Sequence, residues 1–158
     1  MNFHSRHLFR ITVLSLVLGA LPTSVSIAQT TDERRQQGAA VIEKLNRGQA
    51  QPTLERMREQ FPFLADATEA YALGDVWSRE GIDDRTRQLA AVAAFAATGQ
   101  TVFMKIHAGY ALNVGASEEE LKEIVYMVTV AAGFPRAISA SQALSELFAE
   151  RQSSGNGQ

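Results

Sequence analysis

The sequence predicts an all-α domain, and two observations carry this prediction. The helix formers Ala, Leu, Glu, Gln and Arg dominate the chain. Apolar residues recur at helical spacing, whereas no run of alternating β-branched residues marks a strand. The length of 158 residues fits a single domain. Hydrophobic residues make up 46% of the chain and charged residues 20%, a globular rather than a disordered composition.

The charge balance and the cysteine count exclude several function classes. Lys and Arg number 15 and Asp and Glu number 17, so the net charge is −2 and no basic field for nucleic acid exists. The chain contains no cysteine, which removes disulfides, thiol nucleophiles and zinc–thiolate sites. It also lacks an EF-hand loop, an HExxH motif, a phosphate-binding glycine loop and a GxSxG elbow. The sequence therefore predicts no metal site.

Residues 1–28 have the pattern of an export signal. Two arginines precede an apolar run at 11–21, which is shorter than the roughly 20 residues that a bilayer span requires. Pro22 ends the run, and small residues suit a signal-peptidase cut after Ala28. We expect a cleaved signal, a periplasmic or secreted protein and no stable membrane span. The alternative is an uncleaved N-terminal anchor.

The helices of the N-terminal part follow from start and stop signals. Residues 29–60 are predicted to form a helical extension, with one helix at 31–47 and a short one at 53–60. Pro62 suits the first turn of the next helix because its missing N–H has no partner there. That helix should run to about residue 78.

The next predicted helix, at 84–98, is the richest in alanine. Asp83 is a natural N-cap for it, because a carboxylate can accept a hydrogen bond from a free amide of the first turn. Its apolar residues surround most of its circumference, which predicts a central buried helix. Gly99 ends it as a C-terminal cap.

Three more helices complete the predicted bundle. The first spans 100–113. A capping box at Ser117 and Glu120 starts the second, and we predict no catalytic role for its glutamates. The third spans 136–151, and the polar residues 151–158 are predicted to be a disordered tail.

His107 is the first candidate for chemistry. On its helix it shares a face with Gln100, Phe103 and Tyr110, at spacings of three or four residues. Ile106 argues that this face packs inward, where a histidine is desolvated and neutral. Such a side chain can exchange a proton near neutral pH. The alternative is a core histidine that is satisfied by one hydrogen bond.

Arg85 and Arg87 are candidates for binding a carboxylate, which a guanidinium holds with two parallel hydrogen bonds. Cations at a helix N-terminus oppose the helix dipole, so another interaction should favour them. The alternative is local ion pairing. Gln88 lies one turn after Arg85, and a buried amide requires partners, which His107 or Gln100 could supply.

Together these motifs resemble the carboxymuconolactone decarboxylase family, which shares an all-helical fold with alkyl hydroperoxidase D. The resemblance rests on the order and spacing of four parts of the sequence: 74–87, His107, 111–120 and 133–135. It defines a family-like domain at 61–150. It implies an alkyl hydroperoxidase D-like helical bundle that is oligomeric, as a homotrimer or a homohexamer.

The family contains two chemistries, and the cysteine count decides between them. Its redox branch uses a CxxC motif followed four residues later by a histidine. The two cysteine positions fall at Gln100 and Phe103 here, and the histidine falls at His107. The glutamate of that branch falls at about Gln88. Because both thiols and the acid are absent, thiol peroxidase activity is excluded.

The decarboxylase branch lacks those cysteines too, and it shows the Trp77 and Asp-Arg-Thr-Arg pattern found here. It implies decarboxylation or proton transfer on a small carboxylated lactone, with no metal or cofactor. Such a site must hold carboxylates, stabilise an oxyanion and protonate carbon. The expected catalytic residues are His107, Arg85 and Gln88. The expected substrate-binding residues are Arg87, Trp77, Gln100 and Phe103.

Two features depart from the decarboxylase pattern. Ile138 and Ser139 stand where decarboxylases of the family tend to carry Asn-His. Export also differs from the cytoplasmic location of such aromatic catabolism. Both features favour a paralogue with a different substrate or with no turnover. A non-catalytic, oligomeric small-molecule binding module of the same fold is therefore the alternative function.

Overall fold

A computed structural model describes residues 29–155, which form seven α-helices and one π-helical segment. The first elements are α1 (Thr31–Leu45), α2 (Pro52–Gln60), α3 (Pro62–Ala67) and the π-helical segment Thr68–Trp77. They are followed by α4 (Asp84–Thr98), α5 (Thr101–Asn113), α6 (Glu118–Ala132) and α7 (Phe134–Gly155). No strand occurs in residues 29–155, so the predicted all-α class is confirmed. The predicted signal at 1–28 and the last three residues lie outside this range.

Helices α4 to α7 form a bundle around the main hydrophobic core. Its fully buried members include Val92, Ala96, Met104, Ala108, Leu121 and Val125. Helix α4 packs against α5, α6 and α7, as expected of a central helix. Its opposite side, however, carries the exposed residues Ala90 and Ala94. The expectation of burial around most of α4 is therefore wrong for a single chain, because the bundle covers one side of it.

The predicted helix caps are confirmed. The Asp83 carboxylate accepts a hydrogen bond from the amide of Thr86 at 2.9 Å, which starts α4. Gly99 ends α4 with φ at 77°, a left-handed conformation that glycine adopts without steric cost. Ser117 and Glu120 form the reciprocal capping box of α6. These caps fix the ends of the helices that carry the candidate site.

Helix α7 continues through residues 151–155, for which the sequence predicted disorder. The hydroxyls of Ser153 and Ser154 each donate to the carbonyl four residues earlier, at 2.9 Å. Arg151 also donates to the side chain of Asn113 at 3.2 Å and so ties this end of α7 to α5. The polar composition that suggested disorder is thus compatible with an exposed last helical turn. Within the described residues, no helix has the length and apolarity that a membrane crossing requires.

Helix α1 packs along the π-helical segment at two glycines. A β-carbon at Gly38 would lie 2.1 Å from the main-chain oxygen of Glu69, and one at Gly74 would lie 2.1 Å from that of Arg34. An ion pair of 2.9 Å between Arg34 and Asp75 crosses the same interface. The two elements therefore approach each other more closely than any side chain at these positions would allow.

The π-helical segment replaces part of a helix that the sequence predicted as regular. The amide of Ser78 donates to the carbonyl of Leu73, five residues earlier, at 3.1 Å. π-Helical segments are rare in proteins as a whole, but those that occur often lie at functional sites. Hydrophobic spacing does not distinguish a π-helix from an α-helix over so few turns. The prediction of a helix here was therefore right, but the prediction of a regular α-helix was wrong. The segment ends at Trp77, which contacts the candidate site.

Candidate functional site

His107 on α5 stacks against two aromatic rings. Its imidazole lies 5.0 Å from the ring centroid of Trp77 with 18° between the planes, and 5.1 Å from that of Phe95 with 21°. Tyr110, one turn later on α5, meets the imidazole edge-on at 5.8 Å. Aromatic packing therefore fixes the orientation of the imidazole. Its nitrogen atoms lie on the ring edge and are left for hydrogen bonds.

One of these nitrogens is held by a buried amide. Nδ1 of His107 lies 2.7 Å from Oε1 of Gln88 on α4. Gln88 is 0% exposed, whereas its Nε2 has no hydrogen-bond partner within residues 29–155. The contact that the sequence suggested for this glutamine is thus present. Half of the amide remains unsatisfied, which is costly for a buried polar group.

The cluster is uncharged at neutral pH. Burial lowers the pKa of His107 from its usual 6.5 to about 4, because desolvation penalises the charged imidazolium. Burial likewise raises the pKa of Tyr110 to about 12, so the phenol keeps its proton. A neutral imidazole thus lies among aromatic rings and a neutral amide.

The second ring nitrogen, Nε2, is the open position of His107. It makes no hydrogen bond to residues 29–155, and it is not one of the fully enclosed polar atoms. The carbonyl oxygen of Gln88 can only accept a hydrogen bond, so Nδ1 is the donor and Nε2 holds the lone pair. The arrangement presents one neutral proton acceptor of defined orientation.

Both predicted carboxylate-binding arginines already have partners. Arg85 forms an ion pair with Glu120 at the start of α6. Arg87 donates to three main-chain carbonyls between residues 76 and 82, two of them at 3.4 and 3.3 Å. No hydrogen bond joins either arginine to His107 within the described chain. The hydrogen bonds of Arg87 stabilise the turn before α4, and the ion pair of Arg85 connects the first turns of α4 and α6.

The predicted inward face of α5 is only partly buried. Gln100 is exposed, because it precedes the first turn of α5 as the N-cap residue. Phe103 is 46% exposed although its ring packs on Phe95 at 5.7 Å. The expectation of an inward position is therefore wrong for these two residues. It holds for Tyr110, which is 5% exposed.

A cleft of about 600 Å³ opens beside Trp77. Its walls come from the second half of α1 and from the turn before α4. Lys44 on α1 and Asp84, the first residue of α4, both line the cleft and form an ion pair with each other. The side chains around His107, namely Trp77, Gln88, Phe95 and Tyr110, form with it the histidine cluster. Within residues 29–155, Trp77 is the one member of this cluster that borders the cleft. Trp77 thus lies between the cleft and the imidazole. His107, Gln88 and Arg85 do not border this cleft.

Sequence reasoning missed Phe95 and the pairing of Glu120. Phe95 is the only aromatic residue of the alanine-rich helix α4, and it lies two turns after Gln88 on the same face. That spacing was a usable signal. Glu120 was interpreted as a capping residue alone, since nothing in the sequence connects it with Arg85, 35 residues earlier. Within the described part of the chain, no group of three His, Cys, Asp or Glu side chains could hold a metal.

The fold and this cluster define an all-helical protein with one stacked imidazole and no thiol. Residues 62–146 match the model of the carboxymuconolactone decarboxylase family. Over 118 residues the chain is 29% identical to the 4-carboxymuconolactone decarboxylase of Acinetobacter baylyi, covering 74% of this chain and 88% of the relative. It is 26% identical over 99 residues to an uncharacterised protein of Methanocaldococcus jannaschii, covering 63% of this chain and 92% of the relative.

The chain belongs to the carboxymuconolactone decarboxylase family, because the family model matches more than half of it. The family predicted from the sequence is thus confirmed, as is its all-helical fold. The relative named as a decarboxylase is distant, and its name describes that protein.

Proposed function

We propose that the protein catalyses a cofactor-free decarboxylation or proton transfer on a small carboxylated lactone. The observation that carries this proposal is the stacked, neutral imidazole of His107, which is bound at Nδ1 by Gln88 and has no hydrogen-bond partner at Nε2 within residues 29–155. The family and its relative named 4-carboxymuconolactone decarboxylase support the reaction class. Since the chain has no cysteine, the thiol chemistry of the redox branch is not available to it.

In the proposed reaction, His107 carries the proton. With its pKa at about 4, the imidazole is protonated in only about one molecule in a thousand at pH 7. A substrate carboxylate beside Nε2 favours the imidazolium and raises this pKa. Substrate binding therefore promotes protonation of Nε2 of His107, and this proton is the one that the reaction consumes.

The proposed reaction balances without a cofactor. The bond from the γ carbon to its carboxylate breaks, carbon dioxide leaves, and the bonding electrons move through the ring alkene to the lactone carbonyl. The α carbon of the resulting dienolate takes the proton from Nε2 of His107. The imidazole then regains a proton from water. Trp77 and Phe95 shield the ring faces from water, which strengthens the interaction of the imidazolium with the anion.

Arg85 is the proposed anchor for a substrate carboxylate. Its ion pair with Glu120 leaves 39% and 41% of the two side chains accessible, and exposed pairs of this kind are weak. A substrate carboxylate can therefore take the place of Glu120. Glu120→Gln, which retains the capping box, should free Arg85 and lower KM, whereas Arg85→Gln should raise KM.

Turnover of carboxylated lactones, followed by ultraviolet absorbance with the purified protein, tests the reaction. We expect His107→Ala to lose turnover by about 100-fold or more. Arg56→Gln, an exposed position on α2, is the control and should retain turnover. Turnover that survives His107→Ala would contradict the role of the imidazole. The absence of turnover on every such lactone would contradict the reaction itself.

A non-catalytic binding module of the same fold is the second candidate. The engagement of Arg85 by Glu120 and of Arg87 by main-chain carbonyls favours it, since neither guanidinium is free for a substrate. For a binding module, His107→Ala would change the affinity for a carboxylated ligand and no product would form. Calorimetry together with the turnover assay separates the two functions.

We also propose a homotrimer or homohexamer. Five large apolar side chains near the α6–α7 turn are more than half exposed: Tyr126, Met127, Val130, Phe134 and Ile138. Monomeric proteins rarely leave that much apolar surface in water, and further copies of the chain would cover it. Val130 is 91% exposed, and we expect Val130→Asp to lower the mass measured by light scattering. Ser145→Asp, also exposed on α7, should not.

The proposed location is the periplasm or the external medium, after cleavage of the signal at 1–28. Mass spectrometry of protein expressed with its full N-terminus tests this location. A mature chain that begins at Gln29 is expected. Retention of the uncleaved chain in the membrane fraction would favour the anchor instead.

A further inference from the structure

A second cavity lies alongside α5. It measures about 860 Å³, is open to solvent, and is bordered by the loop between α1 and α2, by α5 and by the last turns of α7. Most of its lining residues fall within 46–53 and 147–154, outside the family match at 62–146. The cavity is therefore built largely by segments that flank the matched domain.

Two arginines without a carboxylate partner meet in this cavity. Nη2 of Arg47 donates to the main-chain oxygen of Asn113 at 3.1 Å, and Nη1 of Arg151 donates to Oδ1 of the same asparagine at 3.2 Å. Neither arginine forms an ion pair within residues 29–155. A guanidinium has five N–H donors, so each keeps most of them uncommitted. Two positive charges thus lie close together with no carboxylate of residues 29–155 within ion-pair distance of either.

Arg47 has an unfavourable backbone conformation. Its φ is 53°, and it is the one residue other than glycine with positive φ in the described part of the chain. This conformation costs a residue with a β-carbon about 1–2 kcal/mol. The neighbouring Gly48, at φ 75°, is the residue type that such turns prefer. An arginine therefore stands where the backbone alone would favour glycine or asparagine.

The rest of the cavity limits the kind of anion that fits. Lys105 lies 3.2 Å from Glu146 and 2.7 Å from Glu150, a group with one positive and two negative charges that repels a second negative charge on a ligand. Apolar side chains also line the cavity: Val102, Ile106 and Leu147. Its volume is that of typical small-molecule sites. The best match is a monoanion with an apolar body.

We propose that this cavity binds a small organic monocarboxylate, with the carboxylate held by Arg47 and Arg151 and its apolar body against α5. Arginine suits this role because its planar fork matches both carboxylate oxygens. Tyr110 borders both this cavity and His107, so a bound ligand lies one side chain away from the imidazole. The proposal concerns binding alone and does not depend on the proposed reaction.

Isothermal titration of the purified protein with benzoate, and with benzamide as its uncharged counterpart, tests the proposal. We expect benzoate to bind at least about tenfold more tightly than benzamide. Arg47→Gly relieves the positive φ while removing the guanidinium, so it should fold and still weaken benzoate binding by about tenfold or more. Arg151→Gln should do the same. Arg56→Gln, an exposed arginine outside the cavity, should have no effect.

Two results would overturn the proposal. One is the absence of benzoate binding, or benzoate binding that both Arg47→Gly and Arg151→Gln leave intact. The other is binding that His107→Gln abolishes while the arginine variants do not, since benzoate would then occupy the histidine cluster. Retention of benzoate binding in His107→Gln, together with loss of turnover, would separate this site from the proposed reaction.

Discussion

Oε1 of the buried Gln88 lies 2.7 Å from Nδ1 of His107, so a neutral amide occupies the position next to the imidazole. A carboxylate there would stabilise the imidazolium, whereas an amide oxygen accepts a hydrogen bond without adding a charge. Desolvation is then the dominant influence on His107 and holds its pKa low. Burial therefore keeps the imidazole neutral, and the uncharged amide adds no charge that would offset it.

Replacing this amide with an acid should reverse the effect. In Gln88→Glu we expect the pKa of His107 to rise from about 4 to above its usual 6.5, because the new carboxylate favours the charged ring. Gln88→Met, which has a similar size and no charge, should leave the pKa low. An NMR titration measures both variants, since His107 is the only histidine of residues 29–158. An equal pKa in the two variants would show that residue 88 does not contact the ring.

The lowered pKa also makes stability depend on pH. The unfolded chain titrates His107 near 6.5 and the folded chain near 4, so the unfolded state binds more protons between these values. The free energy of unfolding should therefore fall as the pH drops from 6.5 to 4, by on the order of 3 kcal/mol at most, and this residue should add no pH dependence above 6.5. Urea denaturation across this range measures the slope. His107→Gln should flatten it, and an unchanged slope in that variant would assign the effect to other groups.

Local signals in the sequence were sufficient for the capped helix ends, and they identified His107 as one of two candidate partners for Gln88. Caps such as Asp83, Gly99 and Ser117 act within one turn of their own residue, so they can be read from short motifs. An apolar helix with one amide and a facing helix with one histidine leave few partners for either group. The burial of both residues follows from the same reasoning.

The remaining features depend on distant parts of the chain. Glu120 reaches Arg85 because α6 packs against α4, which no local pattern encodes. The π-helical segment arises where α1 packs against Gly74, a contact between residues about 40 positions apart. The exposure of Gln100 and Phe103 depends on how far the bundle covers α5. Helical periodicity predicts the face of the helix on which a residue lies, but not how much of that face the neighbouring helices cover.

The close packing of α1 should be sensitive to a single methyl group. Gly74→Ala places a β-carbon 2.1 Å from the main-chain oxygen of Arg34, and backbone cannot yield as a flexible side chain can. We expect a loss of about 1–3 kcal/mol in the free energy of unfolding, and faster proteolysis within 31–45 as α1 separates from the π-helical segment. Gly81→Ala is the matched control, because no atom of the described residues lies within 4 Å of its added carbon. Equal stability of the two variants would contradict the close contact.

The C-terminal cap of α4 combines backbone strain with a side-chain contact. Gly99 has φ at 77°, and a β-carbon there would lie 1.6 Å from Nη1 of Arg136. Gly115 also has a positive φ, at 97°, but no other atom of residues 29–155 lies within 4 Å of a β-carbon placed there, so it shares the strain without the contact. Gly115→Ala should therefore cost about 1–2 kcal/mol from the backbone alone, and Gly99→Ala should cost more because the guanidinium must also move.

The contribution of Arg136 can be isolated with a double-mutant cycle. Adding Arg136→Ala to Gly99→Ala removes the group that the new methyl displaces, so Arg136→Ala should be less destabilising in that background than in the original chain. Denaturant unfolding of the four proteins gives the coupling free energy. If the changes in the free energy of unfolding are strictly additive, the side chain of Arg136 does not contact Gly99 in solution. In that case the cost of Gly99→Ala should equal that of Gly115→Ala, because the left-handed backbone would be its only source.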